Sequence, residues 1–276
     1  KDTMGKVQLS PALFIGVQGE DIISFGSGQP DLPPPDAVYK ILPDYRDFKY
    51  GLIQGTCELR QALSHQYPSS TADSFIVTNG ASEALDLVLR AIARRGDPQK
   101  NKVLLARPYY YSYPHIVRFA GMEPVYTDAI DGLIDFDDFA AKVPDCKAVI
   151  INSPSNPTGM GYSVAELRAL ADVIRPHEQV MVISDDLYEH LTYDGFAFHT
   201  LAALAPDMAG RILTLNGVSK SYCMTGWRIG FAAAPAPLVR AMAKLQSQST
   251  SCPNSIAQYA AIAALDGPID FMTENL

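Results

Sequence analysis

One lysine in the carboxyl-terminal third of the sequence has neighbours that favour chemistry. Lys220 lies between two serines in VSKSYCMTGWRIG, residues 218–230, and Arg228 follows further along the motif. An apolar and partly cationic environment disfavours the ammonium form, so it lowers the lysine pKa and makes the amine a usable nucleophile and base. The Arg228 guanidinium suits a phosphate. A solvated surface lysine remains the alternative for this motif alone.

Acidic residues and a tyrosine follow another apolar run, VMVIS (180–184). Asp185 and Asp186 come directly after it, and Tyr188 follows two positions later. An acidic residue at the end of a buried strand needs a hydrogen bond or a charged partner, because desolvation of an unpaired carboxylate is costly. One of the two aspartates could cap the next helix. The other then needs a partner elsewhere.

Three further stretches offer groups for binding a ligand. The turn-rich NSPSNPTG (152–159) either forms a tight turn or holds the Asn156 amide toward a ligand. The tyrosines of RPYYYSYP (107–114) either pack in the core or stack a flat ring on a flat ligand. After FIVT (75–78), Ser82 can cap a helix whose free N–H groups bind an anion, and a capped helix without a ligand is the alternative.

The elements that position these residues follow from periodicity. Short β-branched runs alternate with longer segments whose apolar residues recur on one helical face, which indicates an α/β fold. We predict a mainly parallel seven-stranded sheet with helices on both faces, and ligands of such sheets bind beyond the carboxyl ends of the strands. The candidate residues all lie at strand ends, and together they describe one ligand, pyridoxal phosphate. The predicted strands are 75–78, 102–106, 123–127, 147–151, 180–184, 211–215 and 229–233.

Composition narrows the class of partner. The 276 residues carry a net charge of −8, which disfavours nucleic acid and anionic membrane surfaces as partners. The four cysteines form no CxxC pair and have no histidine at metal-ligand spacing, so we expect no metal site and a reducing compartment. No leader sequence and no apolar run of membrane-spanning length is found, and we expect a cytoplasmic protein.

From about Asp21 to its last residues, the sequence resembles the fold-type-I pyridoxal-phosphate enzymes, specifically the class I/II aminotransferases related to aspartate aminotransferase. The motif around Lys220, NGVSKSYCMTGWRIGFAAAP, is highly specific. The motifs that carry the resemblance are YGLIQGTCELRQAL, TNGASEALDL, RPYYYSYP, NSPSNPTG, SDDLYEHLTYDG and NGVSKSYCMTGWRIGFAAAP.

The resemblance implies roles around the cofactor ring. Lys220 corresponds to the Schiff-base lysine, which also moves the proton between the substrate Cα and C4′ of the cofactor. Asp185 would pair with the pyridine nitrogen and keep it protonated. Asn156 and Tyr188 correspond to the donors to the ring hydroxyl, with Asn156 also near the substrate. Tyr110 occupies the position of the stacking ring.

The resemblance also implies a phosphate site and a dimer. Tyr50 matches a tyrosine that reaches the phosphate in the neighbouring subunit, which makes the expected active unit a homodimer. Gly28 matches a lid segment that closes over the substrate, where the absence of a side chain permits close approach. The residues expected to hold the phosphate within one subunit are Ala81, Ser82, Ser219 and Arg228.

The domain organisation follows from composition and from the resemblance. Residues 1–45, which include the Gly- and Pro-rich GSGQPDLPPPDAV, are predicted to form an N-terminal arm and lid, and 46–276 the cofactor-binding large domain. The family's C-terminal small domain, with the arginine that binds the substrate carboxylate, has no counterpart in this chain. We therefore expect a fragment, a truncated product or a protein without ordinary substrate binding. Ser82 stands where some bacterial aspartate-specific relatives have a lysine, so an acidic amino acid is a possible substrate that this position does not support.

The expected function is transfer of an amino group from an L-amino acid to a 2-oxo acid in a ping-pong cycle through Lys220. Other pyridoxal-phosphate chemistry, such as that of a β-lyase, uses the same lysine and aspartate and is the first alternative. A ligand-sensing domain of the same fold without turnover is the second. The acidic chain has no basic helix-turn-helix, which argues against the second alternative.

Overall fold

The computed structural model describes residues 28–30, 32–67, 70–93 and 100–267. Most of the predicted N-terminal arm lies outside these ranges, and its boundary at residue 45 stays a prediction. All seven predicted strands are present within one or two residues of their expected limits. A short hairpin, β4 and β5, was not predicted. The strands are β1 (Phe75–Asn79), β2 (Lys102–Ala106), β3 (Glu123–Thr127), β4 (Ala129–Ile130), β5 (Leu133–Ile134), β6 (Cys146–Asn152), β7 (Met181–Asp185), β8 (Ile212–Gly217) and β9 (Ile229–Ala233).

Within the described ranges, seven strands form one sheet in the order β1-β9-β8-β7-β6-β2-β3. β9 runs antiparallel to both of its neighbours, and the other pairs are parallel. The predicted α/β fold with a mainly parallel sheet is therefore confirmed. Because β9 is reversed, its first residue lies at the edge where the other six strands end, with Asn79 opposite Ile229 and Gly217 opposite Gly230.

The helices cover both faces of the sheet. Several begin with side-chain caps, as in the capping box of Ser163 and Glu166, which bonds the first free N–H groups of its helix. The helices are α1 (Asp36–Ile41), α2 (Cys57–Gln66), α3 (Ala81–Ala93), α4 (Tyr113–Phe119), α5 (Phe136–Lys142), α6 (Val164–Ile174), α7 (Leu201–Leu204), α8 (Ala236–Gln246) and α9 (Ser255–Leu265). The periodicity of the sequence predicts helices over 81–95, 112–121, 136–143, 163–174 and 237–248, and it does not predict α1, α2, α7 or α9.

Alternate residues of each strand pack into different hydrophobic cores, because successive side chains of a strand point to opposite faces of the sheet. Ile76 of β1 packs with α3, α4 and α8 on one face of the sheet, whereas Phe75 and Val77 pack with α1, α2 and α9 on the other. A third cluster joins β6 and β7 to α5, α6 and α7. Fully buried strands of this kind fix the sheet, and the sheet fixes the positions of its edge residues. In the described part of the chain, no helix has the length and apolar character needed to cross a membrane.

Asp186, just after β7, is a buried acidic residue with a local partner. Its side chain is almost fully enclosed, and the Ser184 hydroxyl donates a hydrogen bond to Oδ1 over 2.6 Å. Burial raises the pKa of Asp186 to about 7. A carboxyl group whose pKa is higher in the folded than in the unfolded state contributes stability at low pH that is lost as the pH rises above about 4.

We predict that Asp186→Asn becomes progressively more stable, relative to the wild type, between pH 5 and pH 8. The amide cannot ionise and its oxygen still accepts from Ser184, so the gain over this range is on the order of 2 kcal/mol. Thermal and urea unfolding at several pH values measures it. Asp44→Asn removes the same charge from an exposed site and serves as control. A stability difference that is flat in pH contradicts the prediction.

Candidate active site

Lys220 follows β8 at the edge where the parallel strands end. Its amine donates a hydrogen bond to the Gly28 carbonyl, so the described part of the predicted lid meets the predicted catalytic lysine. Burial lowers the pKa of Lys220, and the positive charge of Arg228 lowers it further. Both effects favour the neutral amine, which is the nucleophilic form. Ser219, directly before it, is buried.

A second group of residues forms an anion site at the start of α3. Gly80 directly follows β1 with φ +80°, and a Cβ there would overlap the Arg228 guanidinium. Arg228 lies directly before β9, and its Nη1 donates to the Thr225 carbonyl over 3.0 Å. The guanidinium therefore stands beside the first N–H groups of α3, and the two favour a phosphate.

Ala81 and Ser82 lie in the first turn of this helix. The suggestion that Ser82 caps the helix is wrong, because α3 begins at Ala81 and Gly80 occupies the cap position. The cap position has a positive φ, which glycine adopts without strain, and this explains why the residue there is a glycine. Glu83 bonds back to the Asn79 backbone N–H over 2.6 Å and secures the turn.

Asp185 is the last residue of β7 and is mostly buried. The Tyr113 hydroxyl donates to its Oδ2 over 2.6 Å, and the Leu187 N–H donates to Oδ1 over 3.3 Å. Burial raises the pKa of Asp185, and these two hydrogen bonds oppose the increase. The partner that a buried aspartate requires is therefore Tyr113. From the sequence alone, Tyr113 is one of several tyrosines in the motif RPYYYSYP, and no role was predicted for it.

Asn156 and Tyr188 meet beside Asp185, with the Asn156 amide donating to the Tyr188 hydroxyl over 3.2 Å. Burial raises the pKa of Tyr188. Asn152, another residue without an assigned role, joins the two strand ends. Its Nδ2 donates to the Asp185 carbonyl over 2.9 Å, and its Oδ1 accepts from the Asn156 N–H over 2.7 Å. One side-chain amide thus ties the loop after β6 to the end of β7.

Tyr110 follows β2 and is partly buried. Its ring lies edge-on to that of Tyr113, with centroids 5.5 Å apart and planes at 85°. Tyr111 approaches it from another side at 4.7 Å. Two aromatic contacts therefore hold the Tyr110 ring at the same edge of the sheet as Asp185.

Tyr50 is the predicted site residue that the fold does not bring to this cluster. Its side chain is 94% exposed, and that of Phe48, on the same loop, is 77% exposed. The loop is anchored to α9, since the Ser255 hydroxyl donates to the Lys49 carbonyl over 3.2 Å. The Tyr50 side chain is therefore accessible from outside the chain.

Comparison with known proteins gives a consistent result. Residues 20–276 match the family described as Aminotransferase class I and II. The sequence is 42% identical to an aspartate/prephenate aminotransferase of Cereibacter sphaeroides, over 99% of this chain and 72% of that relative. It is 41% identical to an aspartate aminotransferase of Rhizobium meliloti, over 94% of this chain and 65% of the relative.

Solved structures agree with the sequence comparison. The crystal structure of the Rhizobium meliloti aspartate aminotransferase superimposes with a TM-score of 0.84 at 39% identity, over 90% of this chain and 64% of that one. An aromatic aminotransferase of Pyrococcus horikoshii gives a TM-score of 0.83 at 32% identity, over 90% and 69% of the two chains. The chain therefore spans about two thirds of the length of these relatives. The predicted fold and the predicted family are confirmed, and this chain belongs to the class I and II aminotransferase family.

Proposed function

We propose that this chain binds pyridoxal phosphate and carries the catalytic lysine of an aminotransferase that moves an amino group from an L-amino acid to a 2-oxo acid. The observation that carries the proposal is the meeting of three unlike groups at one sheet edge. These are the Lys220 amine with its lowered pKa, the buried Asp185 carboxylate and the Arg228 guanidinium beside a helix start. Such perturbed groups cluster at functional sites.

The residues present fit the cofactor at both of its ends. The Arg228 guanidinium lies against Gly80, directly before the first turn of α3, so a cation and the free N–H groups of a helix start are side by side, which suits a phosphate dianion. At the other end, Asp185 presents a carboxylate that suits a protonated ring nitrogen. Asn156 and Tyr188 would serve the ring hydroxyl, Tyr110 the ring face, and Ala81, Ser82 and Ser219 the phosphate.

The residues of this chain would have separate roles in the reaction. Pyridoxal phosphate, when bound, supplies an electron sink for breaking a bond at the substrate Cα. Lys220 Nζ would move the proton between the substrate Cα and C4′ of the cofactor, for which a lowered lysine pKa is required near neutral pH. Asp185 keeps the ring nitrogen protonated, and Gly28 lies close enough to Lys220 to help exclude water.

An acidic amino acid is the first donor that we propose. The relatives at 41–42% identity are named aspartate/prephenate and aspartate aminotransferases. Aspartate and glutamate therefore head the panel of donors, with an aromatic amino acid beside them because one similar structure is an aromatic aminotransferase. A cytoplasmic location is also proposed, supported by the scattered cysteines of the sequence.

We further propose a homodimer in which Tyr50 reaches the phosphate of the partner's site. The support is the exposure of Tyr50 and Phe48 on a loop that Ser255 anchors. Large exposed aromatic side chains on a fixed loop are typical of residues that an interface covers.

Lys220→Ala is expected to abolish the visible absorption band that forms when the purified chain is mixed with pyridoxal phosphate. Lys244→Ala, which removes an exposed lysine of α8, is expected to retain the band. Absorbance spectroscopy also tests function. A transaminating chain loses the band with an amino donor and regains it with a 2-oxo acid.

Other outcomes of this experiment separate the alternatives. Release of ammonia and a 2-oxo acid without loss of the band indicates a β-lyase. A band that no donor changes leaves a ligand-binding domain without turnover. Absence of the band from the wild-type chain contradicts the proposal itself.

Gly80→Ala is expected to weaken cofactor binding, because the new methyl group displaces Arg228 from the start of α3. Gly121→Ala is a matched control, since Gly121 also has positive φ but no atom within 4 Å of the added Cβ. Backbone strain costs both variants about 1–2 kcal/mol of unfolding free energy. Only Gly80→Ala should raise the Kd for pyridoxal phosphate, roughly tenfold or more. Equal Kd values for the two variants refute the role of this turn.

Mixing Lys220→Ala with Tyr50→Ala is expected to restore tight cofactor binding that neither variant shows alone. At equal mixing half of the dimers are mixed, and each holds one site with both residues intact, so about a quarter of all sites recover. A band titration at low cofactor concentration counts them. No recovery, or a monomer by light scattering, rules out a shared site.

A further inference from the structure

We propose that Tyr113 is a positioning residue, which holds the Asp185 carboxylate in place as the partner of the cofactor's ring nitrogen. The inference rests on the proposed function and extends it, because it names the group that holds the Asp185 carboxylate through a hydrogen bond. The contact joins α4 to the end of β7, two elements far apart in the sequence.

The geometry of the contact favours a strong hydrogen bond. Tyr113 is 4% exposed and Asp185 is 8% exposed, so little water competes for either group. The separation of 2.6 Å from the tyrosine oxygen to Oδ2 is in the range of charge-assisted O–H···O⁻ bonds. A carboxylate has only acceptors, so the tyrosine must donate. Oδ2 is thereby fixed, while Leu187 binds Oδ1 more weakly over 3.3 Å.

The electrostatic setting makes this donor necessary. Burial alone raises the pKa of Asp185 and favours the neutral acid, which cannot pair with a protonated ring nitrogen. The Tyr113 hydrogen bond lowers that pKa. Burial and the charge of Asp185 raise the pKa of Tyr113 well above its usual value, so the hydroxyl keeps its proton and stays a donor.

The Tyr113 ring has a separate, structural role. It packs in the core with Leu105, Val117 and Ile150 and lies edge-on to Tyr110. Phenylalanine preserves these ring contacts and removes only the hydroxyl. Tyr113→Phe is therefore the variant that isolates the hydrogen bond to Asp185.

The test compares two ligands by titration of their absorption bands. One is pyridoxal phosphate, and the other is its 1-deaza analogue, in which C–H replaces the ring nitrogen. In Tyr113→Phe the Kd for pyridoxal phosphate should rise on the order of tenfold, as expected for loss of a hydrogen bond to a charged group. The Kd for the analogue should not change, because the analogue has no nitrogen for Asp185 to bind.

Tyr162→Phe is the matched control. Tyr162 is equally buried and its hydroxyl accepts from the Ile134 N–H over 3.1 Å, away from Asp185. The control should lose comparable stability without altering the ratio of the two Kd values. Adding Tyr113→Phe to Asp185→Asn should also leave the ratio unaltered, since the two residues act through one contact.

The outcomes distinguish failure of the positioning role of Tyr113 from failure of the proposed function. If Tyr113→Phe raises both Kd values equally, or neither, the positioning role is refuted although cofactor binding stands. If the wild-type chain binds neither ligand through Lys220, the proposed function is wrong and this inference falls with it.

Discussion

The reversed direction of β9 is the constraint on which the site depends. β9 runs between β8 and β1, antiparallel to both, so its first residue lies level with the ends of its neighbours. Arg228 directly precedes β9 and therefore reaches the turn at Gly80. If β9 were parallel to its neighbours, the same arginine would lie at the opposite edge, one strand length of about 17 Å away. One reversed strand thus brings a cation beside a helix start that already favours anions.

Much of this arrangement could be predicted from the sequence. All seven strands were recognisable because buried strands are rich in β-branched and apolar residues, and the candidate residues at their ends meet as parallel strands require. The family motifs added the roles. By contrast, α2 and α9 were missed, and α9, rich in alanine and apolar nearly all round, has no distinct helical face for a periodicity search to detect.

The contacts that were missed share a physical origin. Tyr113 meets Asp185 across 72 positions of sequence, and Asn152 meets Asp185 across 33. No local pattern encodes which of several neighbouring tyrosines turns its hydroxyl toward a particular strand end. The need for a partner was predictable from the cost of a buried carboxylate, whereas its identity depends on how α4 packs on the sheet. The error at Ser82 differs, because the position of the cap depends on a backbone dihedral at Gly80.

The kind of partner that Asp185 has also matters. A buried lysine or arginine would hold the carboxylate ionised. The positive charge of that side chain would then neutralise the carboxylate, which would leave little attraction for a protonated ring nitrogen. The neutral Tyr113 hydroxyl opposes the rise that burial causes in the pKa of Asp185, and it adds no positive charge beside the carboxylate. The neighbouring Asp186, whose pKa burial raises to about 7, adds little competing charge at mildly acidic pH. The end of β7 therefore presents one usable carboxylate from two adjacent acids, as a site for a single protonated nitrogen requires.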